Sequence, residues 1–250
     1  MRGPLAGVLL CVILSGGIGC SAPPAPTGPA SRDPGVAVVL GHARDRTGSR
    51  TAEHWVSSAE HVAAITVISE TRGQASANEL KRREGMIGRQ VEIRIDRVLW
   101  SAAKAFPASP TTVRLEVAGW VFNDNSGVGE QRFALEDSSR LEPGHGYVMA
   151  LDWVDDPCTD NPAKGQWALL GSGGTIPFDG GELGSGEFEG SVYTASQARE
   201  AWQQKDSAVA GLRDQVVGST AETLVTRLKA ATPRPSGTAD SMTCDKSEPS

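Results

Sequence analysis

The stretch Gln90-Val91-Glu92-Ile93-Arg94-Ile95-Asp96 alternates polar and apolar side chains at every step. Successive side chains of a strand point to opposite faces, so Val91, Ile93 and Ile95 form a buried face and Glu92, Arg94 and Asp96 a solvated one. The parity changes at Arg97, after which Val98 and Trp100 are the apolar members. One extra residue in a β-bulge makes such a shift and bends the strand around a corner. Val113, Leu115 and Val117, against Arg114 and Glu116, repeat the alternation. Residues 62–69 (VAAITVIS) and 147–153 (YVMALDW) are more continuously apolar, which predicts strands covered on both faces. Shorter strands are predicted at 36–40, 133–135, 167–170, 175–178 and 188–193, between turns punctuated by glycine and proline. This spacing predicts a mainly β fold over 36–193, an antiparallel barrel or sandwich. Residues 79–84 (ELKRRE) read as a short solvated helix between the first two core strands.

Two α-helices are expected to close the chain over 194–231, with 232–250 as a tail. Thr194-Ala195-Ser196-Gln197 and Ser219-Thr220-Ala221-Glu222 both fit a capping box, in which each side chain satisfies the other residue's free backbone donor. The first helix, running to about 217, has Ala198, Ala201, Trp202, Val209 and Leu212 to bury. The second carries Leu224, Val225 and Leu228 and stops before Pro233.

The other end carries an address. Residues 1–19 have Arg2, then an apolar run from Leu5 to Leu14, then mostly small residues, the pattern of an export signal. Ten apolar residues at about 1.5 Å each are too short for a hydrocarbon layer of about 30 Å. Leu14-Ser15-Gly16-Gly17-Ile18-Gly19-Cys20 resembles a bacterial lipoprotein box, although Gly17 stands where Leu, Val or Ile is usual. That resemblance implies a diacylglycerol on Cys20 and retention at a membrane surface. Cleavage after Ala22 and plain secretion is the alternative. Residues 20–35 are then a tether, too rich in Pro, Ala, Ser and Gly to bury a core.

The 250 residues carry 24 basic and 30 acidic side chains, a formal charge of −6, and loss of Arg2 with the leader makes it −7. An acidic balance argues against a nucleic-acid partner, which requires a basic face. Four cysteines are present. With Cys11 in the leader and Cys20 acylated, Cys158 and Cys244 remain, and in an exported chain an even remainder favours a disulfide over two separate thiols.

No motif supplies a catalyst or a cofactor site. The stretches 170–174 (LGSGG) and 183–187 (LGSGE) lack the Gly-x-Ser-x-Gly spacing of a nucleophile elbow and read as turns. His54 and His61 are seven apart, not at the His-x-x-x-His spacing of a zinc helix, and His42 and His145 sit beside glycines. Asp152, Asp155, Asp156 and Asp160, with Asn161, match no EF-hand and read as a solvated acidic turn, so no metal is assigned. Asp179, Glu182, Glu187 and Glu189 read as a solvated Gly-rich hairpin region. Trp100, Trp153 and Trp167 belong to apolar strand patterns. Trp120 follows Gly119 at a strand end and precedes the polar loop 123–127, which makes it the candidate contact residue for binding.

Ala59-Glu60-His61-Val62 and its strand, the strand 91–100, the strand 113–117, and Leu141-Glu142-Pro143-Gly144-His145-Gly146-Tyr147 before 147–151 follow one another, with 167–171 last. The order resembles a class of uncharacterised exported bacterial lipoproteins that in turn look like the netrin-like, metalloproteinase-inhibitor type of OB barrel. That family's inhibitors hold a target's metal through a cysteine that begins the mature domain. No cysteine begins the domain here, so the resemblance implies the shape without the inhibition.

The expectation is a lipid-anchored extracytoplasmic bacterial protein of non-catalytic, binding or structural type. Its partners are a membrane, through the anchor, and an extracellular protein, glycan or small ligand. The alternative is a secreted hydrolase or metal-dependent enzyme assembled only in three dimensions. A pocket holding two of Asp152, Asp155, Glu182 and His145 within hydrogen-bond reach would mark it.

Overall fold

The structure is a computed structural model that describes residues 38–43, 45, 48–127, 129–156, 158, 164–203 and 211–234. The leader, Cys20, the tether, Asp160, Asn161, Val209 and Cys244 lie outside the described residues.

The alternating stretch at 90–96 lies within β3 (Glu84–Ser101), the centre of a long meander with β2 (His61–Arg72) and β4 (Thr112–Asn123). The bulge read from the sequence is present, although Val98, expected on the apolar parity, is exposed. Trp100 pairs with Val62 and Val98 with Ala63, so Leu99 is extra, and a second skip passes Asp96. The two bulges bend β3 over the core. β2 pairs on its other side with β6 (Gly146–Asp155), and β6 with β7 (Gly165–Leu169) and β8 (Thr175–Pro177). β5 (Gly129–Leu135) extends the sheet from β4, and β1 (Val38–Gly41) lies parallel to β5. The path β1-β5-β4-β3-β2-β6-β7 is open.

Two expectations are corrected here. The sheet is mixed rather than wholly antiparallel, because β1 enters alongside β5. It also does not close into a barrel: β4 and β7 approach each other across the mouth of the curl but exchange no ladder of hydrogen bonds.

Of the two strands read as covered on both faces, β6 is so from Tyr147 to Leu151, whereas β2 is so only from Val62 to Ile65, and Ile68 and Ser69 are exposed. On β6, Tyr147, Met149 and Leu151 pack inside the curl with Ile65, Val91, Ile93 and Leu115. Val148 and Ala150, on the opposite face, pack under helices with Val62. Those helices are α1 (Ala52–Ser58), α4 (Leu212–Val216) and α5 (Ala221–Ala230), which contribute Trp55, Val56, Leu212, Val216, Leu224 and Leu228. Burying a side chain of this size contributes roughly 1.5–3 kcal/mol, so this layer holds the C-terminal helices on the sheet. Trp55 is fully buried, and its Nε1 donates to Ser49 O at 2.7 Å.

Among the described residues the C-terminal extension has three helices where two were expected. The helix expected from 194 to about 217 is described as α3 (Ala195–Gln203) and α4. The box at Thr194 forms: Thr194 N donates to Gln197 Oε1 at 2.9 Å, and Gln197 N to Thr194 Oγ1 at 3.3 Å. The box at Ser219 does not, because Thr220 is the N-cap and Ser219 Oγ donates to Val216 O. The solvated helix is α2 (Ala77–Arg82), with a capping box between Ser76 and Glu79. Where one strand was expected over 188–193 the chain turns, and β9 (Gly186–Phe188) pairs with β10 (Ser191–Tyr193) as a hairpin. Among the described residues no helix is long and apolar enough to cross a membrane.

Candidate functional site

The β4–β5 ladder runs only from Asn123↔Gly129 to Trp120↔Arg132, and beyond it the strands splay. Carbonyls facing a splay need donors, since a buried polar group without a partner costs free energy. Arg140, 4% exposed, supplies them. Its Nε donates to Phe133 O on β5 at 3.0 Å, its Nη2 to Gly119 O on β4 at 2.8 Å, and its Nη1 to Glu142. Arg89, on β3 and fully buried, joins β4 to the 140–141 segment. Its Nε donates to Ala118 O at 3.2 Å, and its Nη1 to Glu70 at 2.7 Å and to Leu141 O at 3.1 Å. Arg140 thus stands in for the missing rungs between β4 and β5, while Arg89 ties β4 to the 140–141 backbone.

The carboxylates beside them are fixed as firmly. Glu142 takes hydrogen bonds from Arg140 and Arg132. Burial acts to raise its pKa, and the guanidiniums, Arg140 foremost, outweigh burial and hold it below the ordinary carboxyl value. Glu187 on β9 is 1% exposed. Its Oε1 accepts from Arg140 N at 3.0 Å and Gly190 N at 2.7 Å, and its Oε2 from Leu141 N at 3.0 Å and the Tyr147 hydroxyl at 2.7 Å. Burial pushes the Glu187 carboxyl above its usual range against these donors. Glu187, expected in a solvated hairpin, is therefore a buried anchor for the 140–141 backbone.

The splay opens a cavity of about 490 Å³ among β4, β5 and β7. Val117, Phe133, Leu135 and Leu169 supply apolar wall, with Arg140 and Ser139 also lining it. Asp45, Glu116 and Asp152 bring carboxylates to the lining. Asp45 is held by Ser172, whose N donates at 2.8 Å, and by the Ser49 hydroxyl. Ser139 is 6% exposed, and its Oγ has no hydrogen-bond partner among the described residues. Pockets with predominantly apolar walls and a few placed polar groups are the usual form of a small-ligand site.

The residues singled out in the sequence are placed as follows. Trp120 is half-buried, with its ring between the Arg72 and Arg140 guanidiniums, whose Cζ atoms lie 4.8 and 5.4 Å from the ring centroid. Trp153 and Trp167 pack edge to face at 5.2 Å, and Trp167 lies against the interior of the curl. Trp100 is partly buried against the helical layer. Asp152 alone of the four enzyme-marking residues lines the cavity. Asp155 is exposed at the end of β6, and Glu182 is exposed in the turn after 179–181. His145 pairs instead with Asp179, Nδ1 to Oδ2 at 2.6 Å. That hydrogen bond raises the His145 pKa against the effect of burial.

His61, 4% exposed, is satisfied inside the structure. Its Nε2 lies 3.0 Å from Pro107 O, which can only accept, so Nε2 carries the proton and Nδ1 accepts from Ser101 Oγ at 2.8 Å. Asp156 Oδ1 accepts from Cys158 N at 2.9 Å in an exposed turn. Among the described residues no three or more His, Cys, Asp or Glu gather at metal-binding distance.

Sequence reasoning missed Arg89, although a signal was present. Arg89 shares the parity of Ile87, Val91 and Ile93, so a charged residue stood on the inward face. Nothing local marked Glu187 as buried, because three of its four donors come from residues 140, 141 and 147 and only Gly190 N is near in sequence. No family model matches the chain, and no curated protein or solved structure was found to be similar to it.

Proposed function

We propose that this chain is an exported envelope protein, held to a bacterial membrane through acylated Cys20, whose domain binds a small ligand without transforming it. The observation that carries the binding half is the cavity among β4, β5 and β7. Its walls are stiffened by Arg89, Arg140 and Glu187, whose polar atoms are engaged by the backbone that frames it. Groups committed in this way preorganise a site. The leader, the Gly19-Cys20 junction and the Pro-rich tether support the anchored half.

The OB-like reading belongs to this proposal too. The strand order β4-β3-β2-β6-β7, with β4 and β7 running the same way and meeting without a ladder, supports an OB-type five-stranded barrel opened at its last seam. In this reading the opened seam is the ligand's entrance. A Cys158–Cys244 bridge would tie the tail to the turn after β6, and the intact mass without reductant would be lighter by two hydrogens.

Growing the bacterium on an alkyne-tagged fatty acid tests the anchor. The wild-type chain should take up the tag and sediment with membranes, and Cys20→Ser should lose both. Equal tagging and sedimentation of the variant would refute the anchor.

A further inference from the structure

The charged groups that line the cavity are already committed within the chain. Arg140 engages all three of its guanidinium nitrogens, with Phe133 O, Gly119 O and Glu142. Asp45 accepts from Ser172 N at 2.8 Å and from the Ser49 hydroxyl. Glu116 stands on the solvated face of β4 and accepts from Gln90 Nε2 at 2.8 Å. Asp152 has a partner of its own as well. An ion entering the cavity would therefore exchange its water for groups that other parts of the chain already hold, which is unfavourable beside apolar walls.

The apolar part of the wall comes from every strand around the seam. β4 supplies Val117 and Ala118, β5 Phe133 and Leu135, β6 Val154 and β7 Leu169. Such surface favours an apolar occupant in proportion to the area that leaves water. The size fits a small molecule too. At about 490 Å³ the cavity falls within the roughly 300–1,000 Å³ of small-molecule sites, and it is about three times an apolar cavity of about 150 Å³ that takes up one benzene. That leaves room for about fifteen to twenty non-hydrogen atoms. Glu116 and Gln166 are the exposed members of the lining and mark its mouth.

From these we infer that the cavity binds an uncharged small molecule that is mostly hydrocarbon, laid against Phe133, Leu135 and Leu169 with any neutral polar end at the mouth. This rests on the binding reading above and adds the ligand's class. A carboxylate or an ammonium of the same length would make the same apolar contacts. It would lose its hydration in doing so and find each charged group of the wall already held.

Calorimetric titration with 1-decanol, decanoate and decylammonium, three probes of one length, tests the inference on the mature chain carrying Cys20→Ser, which needs no detergent. Decanol should bind at least about tenfold tighter than either ion. From hexanol to decanol the affinity should rise about fourfold for each methylene added. Both readings are made on an unaltered cavity, so neither depends on a cavity variant folding. Ala168 is half-buried in the lining on β7, and Ala168→Phe puts a ring into the space. It should weaken decanol at least about tenfold while the chain keeps a cooperative unfolding transition. Either ion binding as tightly as decanol, or an affinity indifferent to chain length, would overturn the neutral assignment and leave the cavity as a binding site. Undiminished decanol binding by a folded Ala168→Phe chain would move the ligand out of this cavity and overturn the assignment too. Failure of all three probes to bind a chain that unfolds cooperatively would overturn the assignment and, with it, the binding reading.

Discussion

Glu187 is the residue whose replacement separates two physical accounts of this core. Four donors converge on its carboxylate, three of them backbone N–H groups of Arg140, Leu141 and Gly190, which cannot reverse. The fourth is the Tyr147 hydroxyl, which can accept instead. Glu187→Ala strands three buried donors at about 1–3 kcal/mol each, a loss of at least about 3 kcal/mol from a typical total of about 5–15 kcal/mol. Glu187→Gln is the sharper test. If the amide nitrogen takes the Oε2 position it faces Leu141 N and the Tyr147 hydroxyl, and only one donor is stranded. The opposite orientation strands two. Glu187→Gln should therefore cost about 1–3 kcal/mol, partly offset because a buried carboxylate is no longer desolvated.

Urea unfolding followed by tryptophan fluorescence reads the change as a shift in midpoint at constant slope. The pH dependence adds a sign. Burial holds the Glu187 carboxyl above its ordinary value, so the folded state takes up a proton where the unfolded state is still ionised. The Glu187-dependent part of stability is then fully present below the unfolded value and is lost as pH rises through the folded one. Wild-type stability relative to Glu187→Gln should rise as the pH is lowered toward 4.5. A Glu187→Gln chain as stable as wild type at neutral pH, or more so, would refute the view that the donors rather than the charge decide the role of this group.

Arg140→Lys keeps the charge but cannot bridge Phe133 O, Gly119 O and Glu142 at once, so it should destabilise by about 3 kcal/mol or more in the same urea assay. His145→Gln tests the pair with Asp179. The raised His145 pKa means that its contribution is present below about 6.5 and lost as pH rises through the folded value. The difference from wild type, about 1 kcal/mol or less, should therefore shrink from pH 6 to 8 in thermal melts. Trp55→Phe keeps the packing but leaves Ser49 O and Gly173 O without the indole donor. It should lower the unfolding free energy by about 1–2 kcal/mol in urea melts.

Periodicity located the strands of the central meander and the covered strand β6, because the inward set at Val91, Ile93 and Ile95 leaves one arrangement that hides it from water. It also revealed the bulge at the end of β3, since parity along a strand is a local property. It misjudged closure. Whether β4 bonds to β7 depends on the curl of the intervening strands, and no residue of either strand encodes that distance. Glu187 shows the same limit. A carboxylate in a Gly-rich stretch reads as solvated by composition, and only the approach of the 140–141 backbone from another part of the chain makes it a buried acceptor. The cavity is likewise a product of tertiary structure, because it exists where two strands part and an arginine from a third segment fills the gap. Sequence by itself determined which faces must hide from water. Tertiary structure decided which polar groups meet inside, because hydrogen-bond geometry is a matter of distance between segments remote along the chain.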